Sequence, residues 1–294
     1  MNDLEIIPRT FGTHDGSFHA DEVTACALLL LFDLIDLEGI KRTRDLKRLA
    51  CCEYVCDVGG IYDPDKKRFD HHQLGYNGNL SSAGMVLKDL KEKAIISEKL
   101  YHYLNGSLVH GVDAIDNGKA SPMHGHCSFS SVIANFGPVR YDSEPQEFDQ
   151  AFHHALRFCL GHLERLLAKF EYIQACREKV KHEMDKKEIV LCFDEPMPWI
   201  ESFFDLGGKK HPAQFVIMPA NSQWKLRGIP PSQDKRMQVR MPLPFEWAGL
   251  LDDDLREKSG IQGAIFCHKG RFISIWETKE DALKALEKTI RRKK

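Results

Sequence analysis

Short apolar runs alternate with polar breaks along the first half of the chain. Residues 5–13 read as a strand, followed by a loop around Gly16 and a helix from about Asp21 to Asp36. That helix holds the longest apolar run, Ala25 to Phe32. It is apolar on most sides, the pattern of an element covered by a parallel-sheet layer. Residues 38–43 and 52–58 predict two more strands, the second leaving the sheet at Gly59-Gly60, and 66–70 a short one ending at Asp70. Helices follow near 82–94, 97–106 and 128–135. This alternation predicts an α/β fold with a doubly wound parallel sheet.

From Glu144 to Lys187 the strand pattern stops. Phe152, Leu156, Cys159, Leu163, Leu166 and Leu167 recur at helical spacing and predict one or two linking helices. Strands return over 189–193, 214–219, 224–229, 263–267 and 272–276, punctuated by prolines. Thr278-Lys-Glu-Asp then opens a last helix with Ala282, Leu283, Leu286 and Ile290 on one face. The expected organisation is an N-terminal domain over 1–143, linking helices over 144–187 and a smaller α+β domain over 188–294.

The 294 residues suffice for two ordinary domains. Hydrophobic residues at 43% and charged residues at 29% exclude a wholly disordered or fibrous chain. Lys+Arg 41 against Asp+Glu 43 leaves no overall basic field, so a nucleic-acid partner has to be held by a local patch. The longest apolar run falls far short of the roughly 20 residues of a membrane span. The acidic start, Met1-Asn-Asp-Leu-Glu, resembles neither a signal peptide nor a mitochondrial presequence. The expectation is no membrane association and a cytoplasmic or nuclear location. Nine irregularly spaced cysteines predict reduced thiols, and fourteen histidines direct attention to metal chemistry.

Four segments carry that chemistry. They are His14-Asp-Gly-Ser-Phe-His19-Ala-Asp21-Glu22, the strand-end Asp57, Asp70-His71-His72, and Asp113-Ala-Ile-Asp116-Asn-Gly. In an open parallel sheet the carboxyl ends of the strands share one edge, so the four are expected to converge on one crevice. Imidazole and carboxylate without thiolate suit Mn²⁺, Mg²⁺, Co²⁺ or Zn²⁺. The number of ligands exceeds the need of one ion and points to a two-metal site of the kind that activates water for phosphoryl displacement.

Asp70-His71-His72, with the upstream His…Asp motif and the strand-end Asp57, resembles the DHH phosphoesterase superfamily. The closer similarity is to the eukaryotic melanocyte proliferating gene one (Myg) family. It is carried by the segments starting at Gly12, Asp57, Arg68, Leu80 and Asp113, and in the second half by Met241-Pro-Leu-Pro-Phe-Glu-Trp and Ile261-Gln-Gly-Ala-Ile-Phe-Cys-His. The resemblance implies a metal-dependent 3′–5′ exonuclease acting on RNA or single-stranded DNA, usually with Mn²⁺. It implies His14, His19, Asp21, Asp57, His71 and Asp116 as metal ligands, with Asp57 bridging. His72 would face the scissile phosphate, and Asp70 would hydrogen-bond a histidine and fix its tautomer. The first motif, His14-x4-His19-x-Asp21, is one residue longer than the superfamily's His-x3-Asp-x-Asp, and its extra imidazole shifts preference toward Zn²⁺ or Co²⁺.

In the second half, the resemblance places a glycine-rich turn after Phe-Cys-His. Here it reads Lys269-Gly-Arg271-Phe, without the usual Gly-Gly. Lys269, Arg271, His268 and Arg227, with Lys225 and Arg240, are the expected strand-binding groups. Two other functions compete: a small-molecule phosphoesterase or pyrophosphatase, and a non-catalytic metal-binding regulator. Oligomeric state stays open, a homodimer included. Cys51, Cys52 and Cys56 read as core thiols, His124-Gly-His126-Cys127 as a loop, His153-His154 as structural, and Arg291-Arg-Lys-Lys294 as a charged tail.

Overall fold

A computed structural model describes residues 5–121, 123–140 and 142–291, so most of the Arg291–Lys294 tail lies outside the described residues. The chain forms two compact units, Met1–Phe170 and Glu171–Lys294.

The first unit opens with β1 (Ile7–Thr13), α1 (Ala20–Leu31), β2 (Ile40–Arg42), α2 (Leu46–Ala50) and β3 (Cys52–Cys56). The hairpin β4 (Tyr62–Asp63) and β5 (Arg68–Phe69) follows. The strand order is β2-β1-β3-β5-β4. The pairs β1–β2, β1–β3 and β3–β5 are parallel, and β4 closes the edge antiparallel. The sheet is therefore mixed at its edge, because a two-residue β5 reached through a hairpin leaves no room for a crossover helix.

The first helix ends at Leu31, not at Asp36. Asp33 takes a left-handed φ of 56°, and Leu34 N–H donates back to the Leu29 carbonyl, a closure that stops a helix. Ala20 through Leu29 are all buried. The short α2 packs through its own Leu49 on Cys52 and Val55 in a separate small cluster. A side chain at Gly12 would come within 2.9 Å of Leu49, so glycine permits this close approach.

Helices α3 (Ser82–Glu92), α4 (Glu98–Leu104), α5 (His110–Asp116) and α6 (Phe129–Ala134) complete the unit's own helices, and a π-helical turn over Asn105–Val109 joins α4 to α5. Asp113 and Asp116 therefore lie on a helix and not at a sheet edge. The apolar residues of 98–112 extend the helix through that turn, beyond the expected end near 106. The linking segment is one 41-residue helix, α7 (Pro145–Asp185). Its Phe152, Leu156, Cys159 and Leu163 belong to the first core, and its Val180 and Met184 to the second unit.

The second unit contains β6 (Val190–Cys192), α8 (Ile200–Asp205), β7 (Phe215–Ala220), β8 (Gln223–Gly228), α9 (Asp252–Ser259), β9 (Ala264–Cys267), β10 (Ile273–Trp276) and α10 (Lys279–Arg291). Its strand order is β6-β7-β8-β10-β9, parallel only between β6 and β7. One face buries Leu226, Trp276 and Cys267 against α10 and Trp247. On the other, Val216 and Met218 pack on α7 and α8 residues. Asp281 N–H donates to Thr278 Oγ1, the expected start of α10. Leu283 is substantially exposed, and Ala285 takes the buried place assigned to it, because the buried stripe follows 282, 285, 286 and 289. No helix among the described residues is long and apolar enough to cross a membrane.

Candidate metal centre

Three of the four segments leave the carboxyl ends of parallel strands: His14 follows β1, Asp57 follows β3, and Asp70 follows β5. Asp116 reaches them from the last position of α5. Asp57 adopts a left-handed φ of 58°, held by its N–H on the Phe69 carbonyl at 3.1 Å. A non-glycine residue rarely takes that conformation, and such strain concentrates at functional sites.

Asp57 is the hub. Its Oδ2 lies 3.2 Å from His14 Nε2, and its Oδ1 lies 3.3 Å from both His71 Nε2 and His72 Nδ1. His71 Nε2 is 3.0 Å from Asp116 Oδ2 and 3.9 Å from Asp21 Oδ2. Burial opposes charge on the His14 imidazole, but the Asp57 and Glu22 carboxylates outweigh it and raise its pKa to about 10. The same opposition, with Asp116 and Asp57 as partners, brings His71 to about 10. Burial pushes the Asp57 carboxyl up, and His14 and His71 override this to bring it to about 2. Asp21 moves the other way: burial and the nearby Glu22, Asp57 and Asp116 hold its pKa well above the carboxylate range.

These groups fit a divalent cation. Neither Asp21 carboxylate oxygen has a hydrogen-bond partner, and the buried Asp57 Oδ1 and His71 Nε2 meet only ion-pair neighbours at 3.0–3.3 Å, without hydrogen-bond geometry. Buried polar atoms left unpaired are costly unless something else satisfies them. Three groups of ligand atoms, each within 4.8 Å of one another, could hold a metal ion: His14, His19, Glu22 and Asp57; Asp57, His71 and His72; His19, Asp21 and Asp116. Asp57 and His19 each belong to two groups.

All six residues expected as ligands thus lie in one cluster, and the structure separates the two aspartates of α5. Asp113 is buried and accepts from Ser81 N–H, Ser81 Oγ and Gly84 N–H, so its carboxylate caps α3. Gly84 is required there, since a Cβ would collide with that carboxylate. Sequence reasoning included Glu22 in the first segment but gave it no role; it is fully buried and 3.3 Å from His14. Its carboxylate also receives the His19 N–H at 2.9 Å, but a histidine in place of the usual Ser or Thr hides this capping box from pattern reading.

His71 and His72 do not point to opposite sides, as adjacent residues of a strand would. Residues 70–72 lie beyond β5, and the two rings sit side by side, centroids 4.3 Å apart. His72 is nonetheless the exposed one, its side chain 64% accessible against 7% for His71. Asp70 Oδ1 lies 2.9 Å from His72 Nδ1 and accepts its backbone N–H, while Asp70 Oδ2 accepts from Gly60 N–H. Asp70 therefore orients His72. Two cavities meet at His19 and His72. One, of about 430 Å³, is walled by Ala20, Ile115, Asp116, Ser130, Ser131 and Ala134. The other, of about 630 Å³, includes Asp57, Asp70, Gly59 and Arg44.

In the second unit, Lys269 is exposed in the turn joining β9 to β10. Arg271 takes the left-handed conformation in that turn, with its guanidinium 5.5 Å above the Phe245 ring. His268 Nδ1 accepts from Gly270 N–H at 2.9 Å, and its ring lies 4.3 Å from Phe272. Arg227, beside Lys225 on the same face of β8, is half-buried and lies 5.8 Å from the Phe272 ring. Arg240 departs from expectation. Its guanidinium donates to the carbonyls of Gly208, His211, Ala213 and Pro230 and so ties the fold together. Cys52 and Cys56 are core thiols, Cys51 is half-buried, and His124, His126 and Cys127 are exposed in a loop.

Residues 10–290 match the family MYG1_exonuc, described as an uncharacterised protein family (UPF0160). The chain belongs to the MYG1 family. It is 54% identical to the MYG1 protein of Chlamydia trachomatis serovar D, covering 98% of this chain and 99% of that one. It is 32% identical to the MYG1 exonuclease of Homo sapiens, covering 96% and 86%. The MYG1 family is thus wider than the eukaryotic group expected from sequence motifs. Among solved structures, RecJ from Thermus thermophilus in complex with Mn²⁺ aligns over 96% of this chain and 52% of its own at 13% identity, with a TM-score of 0.31.

Proposed function

We propose that this MYG1 chain is a metal-dependent phosphodiesterase, a 3′–5′ exonuclease acting on RNA or single-stranded DNA. The observation that carries the reading is Asp57: one buried carboxylate shared by two ligand groups, beside an Asp21 whose two oxygens have no partner. The naming of mammalian relatives as exonucleases supports the same class.

His14, His19, Asp21, Asp57, His71 and Asp116 would hold two ions, Mn²⁺ by preference, with Mg²⁺, Co²⁺ or Zn²⁺ as alternatives. Glu22 stands ready as an additional ligand. Bound ions of this kind lower the pKa of water and neutralise charge on the phosphate. The chain's own residues do the rest. His14 Nδ1 faces the Asp15 carbonyl at 3.1 Å, which directs Nε2 toward Asp57. Asp70 holds the exposed His72 ring at the meeting point of the cavities, where it can donate to a non-bridging phosphate oxygen as charge develops. Lys269, Arg271, His268 and Arg227 would hold the strand away from the reacting phosphate, as cations beside aromatic rings do for single strands.

The test is incubation of 5′-labelled RNA and DNA oligonucleotides, and of pyrophosphate, with Mn²⁺, Mg²⁺ or EDTA. Stepwise shortening of the 5′-labelled RNA from its 3′ end, abolished by EDTA and restored by Mn²⁺, is expected. Turnover of pyrophosphate alone would replace this reading with a small-molecule phosphoesterase.

A further inference from the structure

The loop that carries both His14 and His19 is short and exposed at Asp15, Ser17 and His19. Only two polar contacts join residues 15–18 to another element among the described residues. One is the Arg44–Asp15 pair at 3.4 Å, with both side chains more than half exposed and so weakly held. The other is half-buried. Arg42, whose side chain is 3% exposed, donates from Nη2 to the Gly16 carbonyl at 2.5 Å. Gly16 stands midway between the two histidines, with a left-handed φ of 76°.

The same guanidinium is fixed from two further directions. Its Nη1 donates to Asp149 Oδ1 of α7 at 2.7 Å. Its carbon lies 4.8 Å from the Phe152 ring and 5.7 Å from the Phe18 ring, and those rings meet edge to face at 5.7 Å. Its backbone sits at the end of β2, in register with Thr13, the residue before His14. A planar fork gripped by a carboxylate and two aromatic faces has little freedom left, so the carbonyl it binds is placed with little freedom too.

We propose that Arg42 is a positioning residue for metal binding. Through Gly16 it sets the His14–His19 loop in the conformation in which both imidazoles face Asp57, and Asp149 and Phe152 hold Arg42 in turn. It touches neither metal nor substrate. The inference rests on the metal-dependent reading above, and its test separates the two.

Mn²⁺ affinity is measured by calorimetry on the metal-stripped full chain, wild type against Arg42→Met and Arg42→Lys, beside the melting temperature in EDTA. Lysine keeps the charge but lacks the planar fork that bridges Gly16 and Asp149 beside the rings. Both variants are expected to bind Mn²⁺ about 10–100-fold more weakly, the usual scale for groups that orient metal ligands. Asp149→Asn, at a carboxylate 51% exposed, is expected to fold normally and weaken Mn²⁺ severalfold. Wild-type Mn²⁺ affinity in any folded Arg42 variant overturns the proposal. If neither Arg42 variant folds, wild-type affinity in Asp149→Asn overturns it. A wild-type chain that binds no Mn²⁺ removes the metal-dependent reading itself, and this inference with it.

Discussion

At the edge of the first sheet, Asp21 is fully buried and neither of its oxygens has a partner. At the turn between β9 and β10, Lys269 projects into solvent and Arg271 lies over Phe245. Both regions concentrate charge, but among the described residues the first leaves both Asp21 carboxylate oxygens buried and unpaired, whereas the second unit leaves only donors unpaired, Arg227 Nε among them. Buried, unpaired acceptors are tolerated where a ligand completes them. Exposed cations need no such partner and add binding energy only when a long anionic strand passes over them. Under the proposed function, chemistry falls to the first region and reach along the substrate to the second.

The sharpest break in that comparison is Asp57→Asn. If Asp57 joins the two ligand groups, both ions are lost and kcat falls by at least roughly three orders of magnitude. Retention of two stoichiometric ions, read by mass spectrometry, would count against the bridging role. Next comes His72→Ala. The ion content should stay while kcat drops roughly 10²–10³-fold with KM little changed, the scale for one transition-state donor. Metal depletion of that variant would make His72 a ligand, as its 3.3 Å approach to Asp57 allows. Mn²⁺ at a hundred times its Kd should stabilise the wild-type chain by about 2.7 kcal/mol, seen as a higher melting temperature that Asp57→Asn does not share.

The second region yields smaller effects of a different kind. Arg240→Met removes donors from four backbone carbonyls and should cost about 2–3 kcal/mol of stability without a specific loss of turnover. Charge reversal at Lys269 and Arg271 should slow long oligonucleotides several-fold at low salt, less at high salt, and spare a small phosphodiester. Equal loss on long and short substrates would show that the turn supports the fold.

The cluster was legible because three of its segments leave strand ends, where the topology of a parallel sheet collects them. Asp116 was found by its motif but misplaced, since the π-helical turn that carries α4 into α5 has no pattern of its own. Glu22 was given no role because its partner is a histidine N-cap. Arg240 was misjudged because charge alone does not reveal that four carbonyls surround it. The short helices α2, α8 and α9 were missed as well, being too brief or too polar to show a 3.6-residue period.

Anomalous scattering from crystals grown with Mn²⁺ tests the central claim most directly. Two manganese peaks are expected, each contacting Asp57, with His14, His19, Asp21, His71 and Asp116 divided between them. A single ion that leaves Asp57 untouched, or no ion at the edge of the first sheet, would contradict it.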